Sequence, residues 1–416
     1  MKRIILPVTC MIAFCSQSFS EDDLMNRPYL LGDWNGARTS LEEKGVTFDL
    51  NNTFDVYDDI SGALDSGTEY FGRARATMNL DLEKLIGMEN ATFSVGAISQ
   101  YGRNYNRSVF GVLTNPSSIE GVETTRMANI WLEQTLFENL LTYRVGKVDG
   151  VGNFGAQEYG GTFMNDELAY IPNLLFAAGL PYDPAQQLGA VVTVRPFENS
   201  DMKGTYLKGG IFNSNNLDAM NYDDDGVDFT WDGPTAFAGE IGYISPEAPV
   251  DLPWYAKGGV QFNSGSFTEV NGSGETSKHN TLYYANVGKS LYLLGEEGDR
   301  HIDGSISLSY APKEEVNVYH YEVTALLRAI GPFASRPTDE AGIGLIAAWL
   351  SDEYSDNTDA TGNDPSGNEF TVELTYKLKL TPWIYIQPDF QVVLNPNGNG
   401  SRDPVYLGAL RTGINF

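Results

Sequence analysis

The amino-acid sequence predicts an all-β fold: a 16-stranded antiparallel transmembrane β-barrel with short periplasmic turns, long extracellular loops and a short N-terminal helix. Three observations lead there. From Glu369 to Leu380, Phe370, Val372, Leu374, Tyr376, Leu378 and Leu380 alternate with Glu369, Thr371, Glu373, Thr375, Lys377 and Lys379. Period 2 marks a strand, because successive side chains point to opposite faces of a sheet. The same alternation recurs in segments along the chain, and the tail ends with Tyr406, Leu410, Ile414 and the terminal Phe416 in phase. Connections between the segments alternate short and long, as an outer-membrane barrel requires and a soluble sandwich does not.

In chain order, residues 1–20 read as a secretory signal peptide. Lys2 and Arg3 form the basic start, Ile4 to Phe14 the apolar core, and Ser18-Phe19-Ser20 the cleavage site. Both cysteines, Cys10 and Cys15, fall inside it, and bulky Phe14 argues against a lipoprotein site at Cys15. The mature chain then has no thiol for disulfides or metal ligation. Its nearest approach to a spanning helix, Leu168 to Leu180, is broken by Pro172 and Asn173. Residues 21–45 read as a periplasmic segment with a short helix. There Asp33 is the expected cap, Trp34, Ala37 and Leu41 lie near one face, and Gly45 is the stop.

Residues 46–416 carry the barrel. Strands are expected to begin at Val46, Glu69, Ala91, Ala128, Leu141, Gln187, Thr205, Thr235, Trp254, Asn280, Asp303, Asn317, Gly342, Glu369, Trp383 and Val405. Links such as Phe137 to Leu140 and Thr381-Pro382 are short. Arg103 to Met127, Val148 to Gln186, Ser214 to Pro234, Ser264 to Lys278 and Ser351 to Asn368 are long. The link Ala311 to Val316 breaks the rule.

The chain carries 27 basic and 55 acidic residues, a net charge of −28, or −30 once Lys2 and Arg3 leave with the signal. That balance excludes nucleic acid as a partner. The acid gathers in runs such as Tyr222 to Asp228 and Ser351 to Asp364, neither of which has the spacing of a helix-loop-helix calcium loop. His279, His301 and His320 lack metal-ligand spacing, so neither a metal nor a cofactor is expected. His301, Asp303 and Ser305 share a strand face. A hydrolytic pair there competes poorly with a polar face near a strand end.

Several stretches resemble the carbohydrate-selective porins, whose namesake is OprB. They are G-D-W-N-G-A-R-T-S-L-E-E-K-G-V from Gly32, N-L-D-L-E-K-L-I-G from Asn79, W-L-E-Q-T-L-F-E-N from Trp131, and R-V-G-K-V-D from Arg144. Y-G-G-T-F-M-N from Tyr159 and E-L-T-Y-K-L-K-L-T-P-W-I-Y-I-Q-P-D-F-Q-V-V-L-N-P from Glu373 extend the match. Asn35 replaces a commoner glycine. The resemblance implies passive sugar diffusion across an outer membrane through a 16-stranded barrel. Small sugars are then the permeants and outer-membrane lipid and lipopolysaccharide the surroundings, with homotrimer and monomer both open. A general cation-preferring nutrient channel and a secreted β-rich binding protein are the alternatives.

A sugar channel needs no catalytic group, only side chains that weakly replace a permeant's hydration shell. Strand parity nominates Arg73, Arg75, Asn79 and Asp81 on the second strand, Trp131 and Glu133 on the fourth, and Arg144 on the fifth. Asp389 and Arg411 follow on the last two strands, whereas Trp383 beside its turn suits an interfacial anchor. Residues of this kind serve equally well in paired ions that brace the wall. The link Val148 to Gln186 is the expected constriction, offering Asp149, Asn153, Tyr159, Asn165 and Asp166, with Gly150, Gly152, Gly155, Gly160 and Gly161 permitting tight bends.

Overall fold

The computed structural model describes residues 21–65, 67–102, 107–171, 179–198, 200, 202–214, 223–245, 252–295, 298–362 and 364–416. The signal peptide assigned to residues 1–20 lies outside them. Sixteen antiparallel strands close into one barrel, each paired with its sequence neighbours and the last with the first. They are β1 Val46–Ser61, β2 Thr68–Asp81, β3 Ala91–Gly102, β4 Thr124–Leu136, β5 Leu141–Val148, β6 Gln187–Val194, β7 Thr205–Asn213 and β8 Thr235–Ile244. The circuit continues through β9 Trp254–Thr268, β10 Thr276–Leu293, β11 His301–Tyr310, β12 Tyr319–Ile330, β13 Glu340–Leu350, β14 Asn368–Thr381, β15 Ile384–Leu394 and β16 Val405–Asn415.

Closure leaves no strand edge, which lipid cannot satisfy. Alternation then sorts the side chains. Val145, Val192, Ile211, Ile241, Ile306 and Leu345 stand exposed on the outer wall, while their strand neighbours turn inward. Outward aromatics mark both rims: Tyr310 stacks on Tyr321 at 4.8 Å near the long-loop end, and Tyr243 meets Trp254 at 4.7 Å near the short-turn end. Such belts suit the two membrane interfaces.

Eight strand starts differ from the sequence reading: β2, β11, β13 and β14 begin one or two residues earlier than expected, and backbone irregularities explain three of the other four. In β4 the register shifts where Gly96 and Ala97 meet it, leaving Ala128 unpaired, so the strand begins at Thr124 beyond the break in alternation. In β10 the shift lies between Lys278 and Asn280, with His279 at φ 52°, and the strand begins at Thr276. The link after β9 is therefore only 269–275. A 3-10 turn, Glu314–Val316, postpones β12 to Tyr319. The turn between β14 and β15 occupies 382–383, so β15 starts at Ile384.

Asp33 is not a conventional cap. Trp34 and Asn35 adopt left-handed φ values, and the Asp33 carboxylate reaches past them to accept from the Thr39 N–H and hydroxyl at 2.8 and 2.9 Å. The helix Ala37–Glu43 follows, with Gly36 at its N-cap. It braces the barrel seam. Arg38, buried against Tyr29 and Trp34, donates to the main-chain oxygen of Phe416 at 2.7 Å. Leu30 N–H donates to Asn415, and the Trp383 indole to Leu24 O at 2.8 Å, so Trp383 holds this segment.

Candidate permeation site

The inner wall is not uniformly polar. Val191, Phe212, Ala236, Ala238 and Leu282 turn inward from β6 to β10 and pack against Val151, Phe154, Ile171 and Leu180 of the 149–186 connection. A second group, Tyr159, Phe163 and Leu168, meets Tyr255, Leu326 and Ile346. The sequence reading expected the link Val148 to Gln186 to narrow the bore; strand parity had no means of showing which wall residues that connection covers. Gly344 makes room for it, since a Cβ there would lie 2.2 Å from Leu168 Cδ1.

Polar ties surround these apolar contacts. Glu373 on β14 accepts from the Met164 and Asn165 N–H groups at 2.7 and 2.9 Å. Gln387 on β15 donates to Thr162 O at 2.8 Å, and Lys377 to Gly161 O at 2.9 Å. Across the barrel, Lys208 on β7 donates to Asn153 O at 2.8 Å and Lys257 on β9 to Ala156 O at 2.6 Å. On β2, Arg75 pairs with Asp183. The connection is thus bonded to inward faces on opposite arcs of the ring.

The nominated residues divide into two groups. Arg73 and Arg75 face inward on β2, level with Gln100 and Ile98 of β3. Trp131, Glu133 and Arg144 form one unit: Arg144 meets Glu133 at 2.8 Å, and its guanidinium lies 4.3 Å from the Trp131 ring centroid. Arg144 and Glu133 remain 28% and 32% exposed.

The others are committed elsewhere. Asp81 caps the short helix Leu82–Ile86 at the periplasmic end, and Asn79 donates to Asp49 at 3.2 Å. Asn165 is fully buried, accepting from Glu167 N–H and donating to Gln391. Asp389 is buried beside Gln391, which donates to it at 3.0 Å. Arg411 is held by Asp55 through two bonds of 2.7 and 2.8 Å. Neither His301 nor Ser305 bonds the other: the His301 ring meets Gly298 O and Asp303, and Ser305 Oγ has no partner among the described residues.

Asp149 accepts from Gly152 N–H at 2.8 Å at the start of the short helix Gly150–Phe154. Burial pushes its carboxyl up to about 7, reinforced by the like charge of Asp183 and opposed by the Gly152 bond, Arg75 and Arg73. A carboxyl with a raised folded-state pKa holds its proton more tightly when folded. Its contribution to stability is therefore present in acid and lost as pH rises from about 4 to about 7. Through the upper part of that window the bore gains a negative charge. Cation preference, read as reversal potential across a salt gradient, should rise between about pH 6 and about pH 8. Asp149→Asn should flatten that rise; an unchanged pH dependence in the variant assigns it to another group.

Sequence reasoning missed the lysines. Lys208 and Lys257 line a cavity of about 330 Å³ with Asn153, Glu158, Arg195 and Tyr206. Lys208 did stand in polar phase within Y-L-K-G-G, but nothing local showed that its partner was a carbonyl of another loop.

A closed, lipid-faced ring of sixteen strands, with polar groups and one long connection on its inner side, is a porin barrel of the outer membrane. Residues 65–416 match the family described as carbohydrate-selective porin, OprB family, and the chain belongs to that family. Porin B of Pseudomonas aeruginosa is 24% identical over 451 residues, covering 96% of this chain and 93% of that protein. Putative porin QuiX of Acinetobacter baylyi is 23% identical over 435 residues, covering 94% of each. The high-pH structure of Pseudomonas putida OprB superposes with a TM-score of 0.83 at 20% identity, covering 96% of this chain and all of that one. The low-pH structure of the same protein gives 0.60 at 16% identity, with the same coverage.

Proposed function

We propose that the protein lets small sugars diffuse passively through a bore narrowed by the 149–186 connection, the first twenty residues serving as its export signal. The carrying observation is the Trp131–Arg144–Glu133 unit on the inner wall. An indole offers a flat apolar face to a pyranose, and the adjoining guanidinium and carboxylate offer donors and acceptors to its hydroxyls. Arg73 and Arg75 extend the hydrogen-bonding surface along the same arc of the wall, two strands away on β2, beside Asp149 and Asp183. Such contacts are individually weak, which a diffusion channel needs so that entry does not become retention.

In planar bilayers the protein should conduct in discrete steps that added sugar reduces. Trp131→Ala should weaken this block several-fold, equivalent to about 1 kcal/mol of lost stacking. Arg144→Ala should weaken it similarly and leave Glu133 unpaired, shifting selectivity toward cations. The excess of 55 acidic over 27 basic residues favours the rival reading of a cation-preferring nutrient channel. Strong cation selectivity with no sugar block in the wild type would establish that rival instead.

A further inference from the structure

The cavity between the 149–186 connection and the short-turn end of β6 to β9 carries chemistry that a neutral sugar does not use. It measures about 330 Å³, within the range of small-ligand clefts, and Gly152, Asn153 and Ala156 form its connection side. Strand register places it on the wall. One row of inward residues runs from Arg144 through Val191 to Gly210, and the next row toward the short turns runs from Thr142 through Thr193 to Lys208. The cavity therefore begins one row beyond the Trp131–Arg144–Glu133 unit, on the periplasmic side.

Its lining is cationic in a chain whose net charge is −28. Arg195, Lys203, Lys208 and Lys257 line it, against the carboxylates of Glu158 and Glu198. Their pairing is loose. Lys203 stands 3.7 Å from Glu198, and Lys257 stands 3.3 Å from a Glu158 side chain that is 41% exposed. Glu240 on β8 already accepts from the Tyr206 and Tyr284 hydroxyls at 2.8 and 2.7 Å, one on each oxygen, and Lys208 meets it only at 3.4 Å. Glycines make that arrangement possible, since a Cβ on Gly242 or Gly259 would lie 2.4 Å from the Tyr206 or Tyr284 ring. Arg195 donates to the Thr142 hydroxyl at 3.1 Å and has no carboxylate partner among the described residues. With Glu240 included, four cations face three carboxylates, which leaves one positive charge.

We propose that this cavity is an exit-side subsite for sugar acids, polyhydroxylated monocarboxylates of the hexuronate kind. Arg195 takes the carboxylate, for which a planar guanidinium offers two parallel donors. Lys208 and the Thr193 hydroxyl, both in the row that opens the cavity, meet the sugar's hydroxyls. One carboxylate neutralises the single excess charge, whereas a phosphomonoester near −2 overshoots it. The inference rests on the reading of the chain as a sugar channel and narrows it to charged sugars.

Full-length protein in planar bilayers tests this by ion-current block with glucose, glucuronate and glucose 6-phosphate. Ionic strength is held constant and low, where charge is least screened. In wild type, glucuronate should halve the current at a concentration about tenfold below that of glucose, the size of one charge-assisted hydrogen bond. Arg195→Gln should bring the glucuronate value close to that of glucose and change the glucose block far less. Lys203→Gln, at an exposed side chain, should move it the same way by a smaller factor, which keeps the test open if the Arg195 variant folds poorly. An undiminished glucuronate preference in both variants would assign it to Arg73, Arg75 and Arg144 and overturn this site. Stronger block by glucose 6-phosphate than by glucuronate would overturn the choice of a monocarboxylate. Glucose block with no advantage for glucuronate in wild type would overturn the inference and leave the sugar-channel reading standing, whereas no block by any of the three would remove both.

Discussion

Glu373→Ala is expected to loosen the 149–186 connection and enlarge the pore while leaving the barrel folded. The Glu373 side chain is fully buried and accepts the N–H groups of both Met164 and Asn165. Those donors sit where the connection turns into the helix Asp166–Ala169. Removing the acceptor orphans two buried N–H groups, at about 1–3 kcal/mol each. The cost falls on the docked connection, because β14 keeps its backbone ladders to β13 and β15. Single-channel conductance should rise, sugar block should fall, and limited proteolysis should cut within 149–186. On unheated gels the protein should still run as a folded barrel. Glu373→Gln retains one acceptor oxygen and should fall between wild type and alanine. Unaltered conductance in Glu373→Ala would mean that the connection does not set the narrowest point.

The same contact shows what the sequence makes legible and what it hides. The strand faces could be read because each residue's side is fixed by its immediate neighbours. Arg73, Arg75, Trp131, Glu133 and Arg144 all turned inward as parity required. The backbone irregularities in β4 and β10 broke that local rule, and there the reading started four residues late. Docking of the connection is a different kind of information. Glu373 and Asn165 are 208 residues apart, and Gln387 and Thr162 are 225 apart. No periodicity links such pairs. Glu373 was visible as polar phase on β14, yet polar phase alone does not separate a side chain open to a permeant from one bonded to a loop. Asp389, Asn165 and Arg411 were nominated on that ambiguity, and their burial makes them braces of the wall.

Arg411→Leu should be the most destabilising single change at the seam. Arg411 on β16 stands directly across from Asp55 on β1, where the first and last strands meet. Two guanidinium nitrogens grip the two carboxylate oxygens, and Ser117 adds a third bond to the Asp55 Oδ2 at 2.8 Å. Asp55 is fully buried and Arg411 nearly so. Removing the cation leaves a buried carboxylate uncompensated, at about 3–5 kcal/mol. Replacing both partners removes the charge as well as its counter-ion. Asp55→Leu with Arg411→Leu should therefore recover most of the loss in the temperature at which unboiled protein shifts to unfolded mobility. Equal temperatures for the single and double variants would show that the pair is not coupled. Recovery of stability need not bring recovery of assembly. A one-residue slip between β1 and β16 would turn every side chain of one strand to the wrong face. The charged pair favours one register, and leucines on both strands do not. The double variant should accordingly refold with lower yield than wild type at comparable thermal stability, a separation that measures what the ion pair contributes to closing the ring.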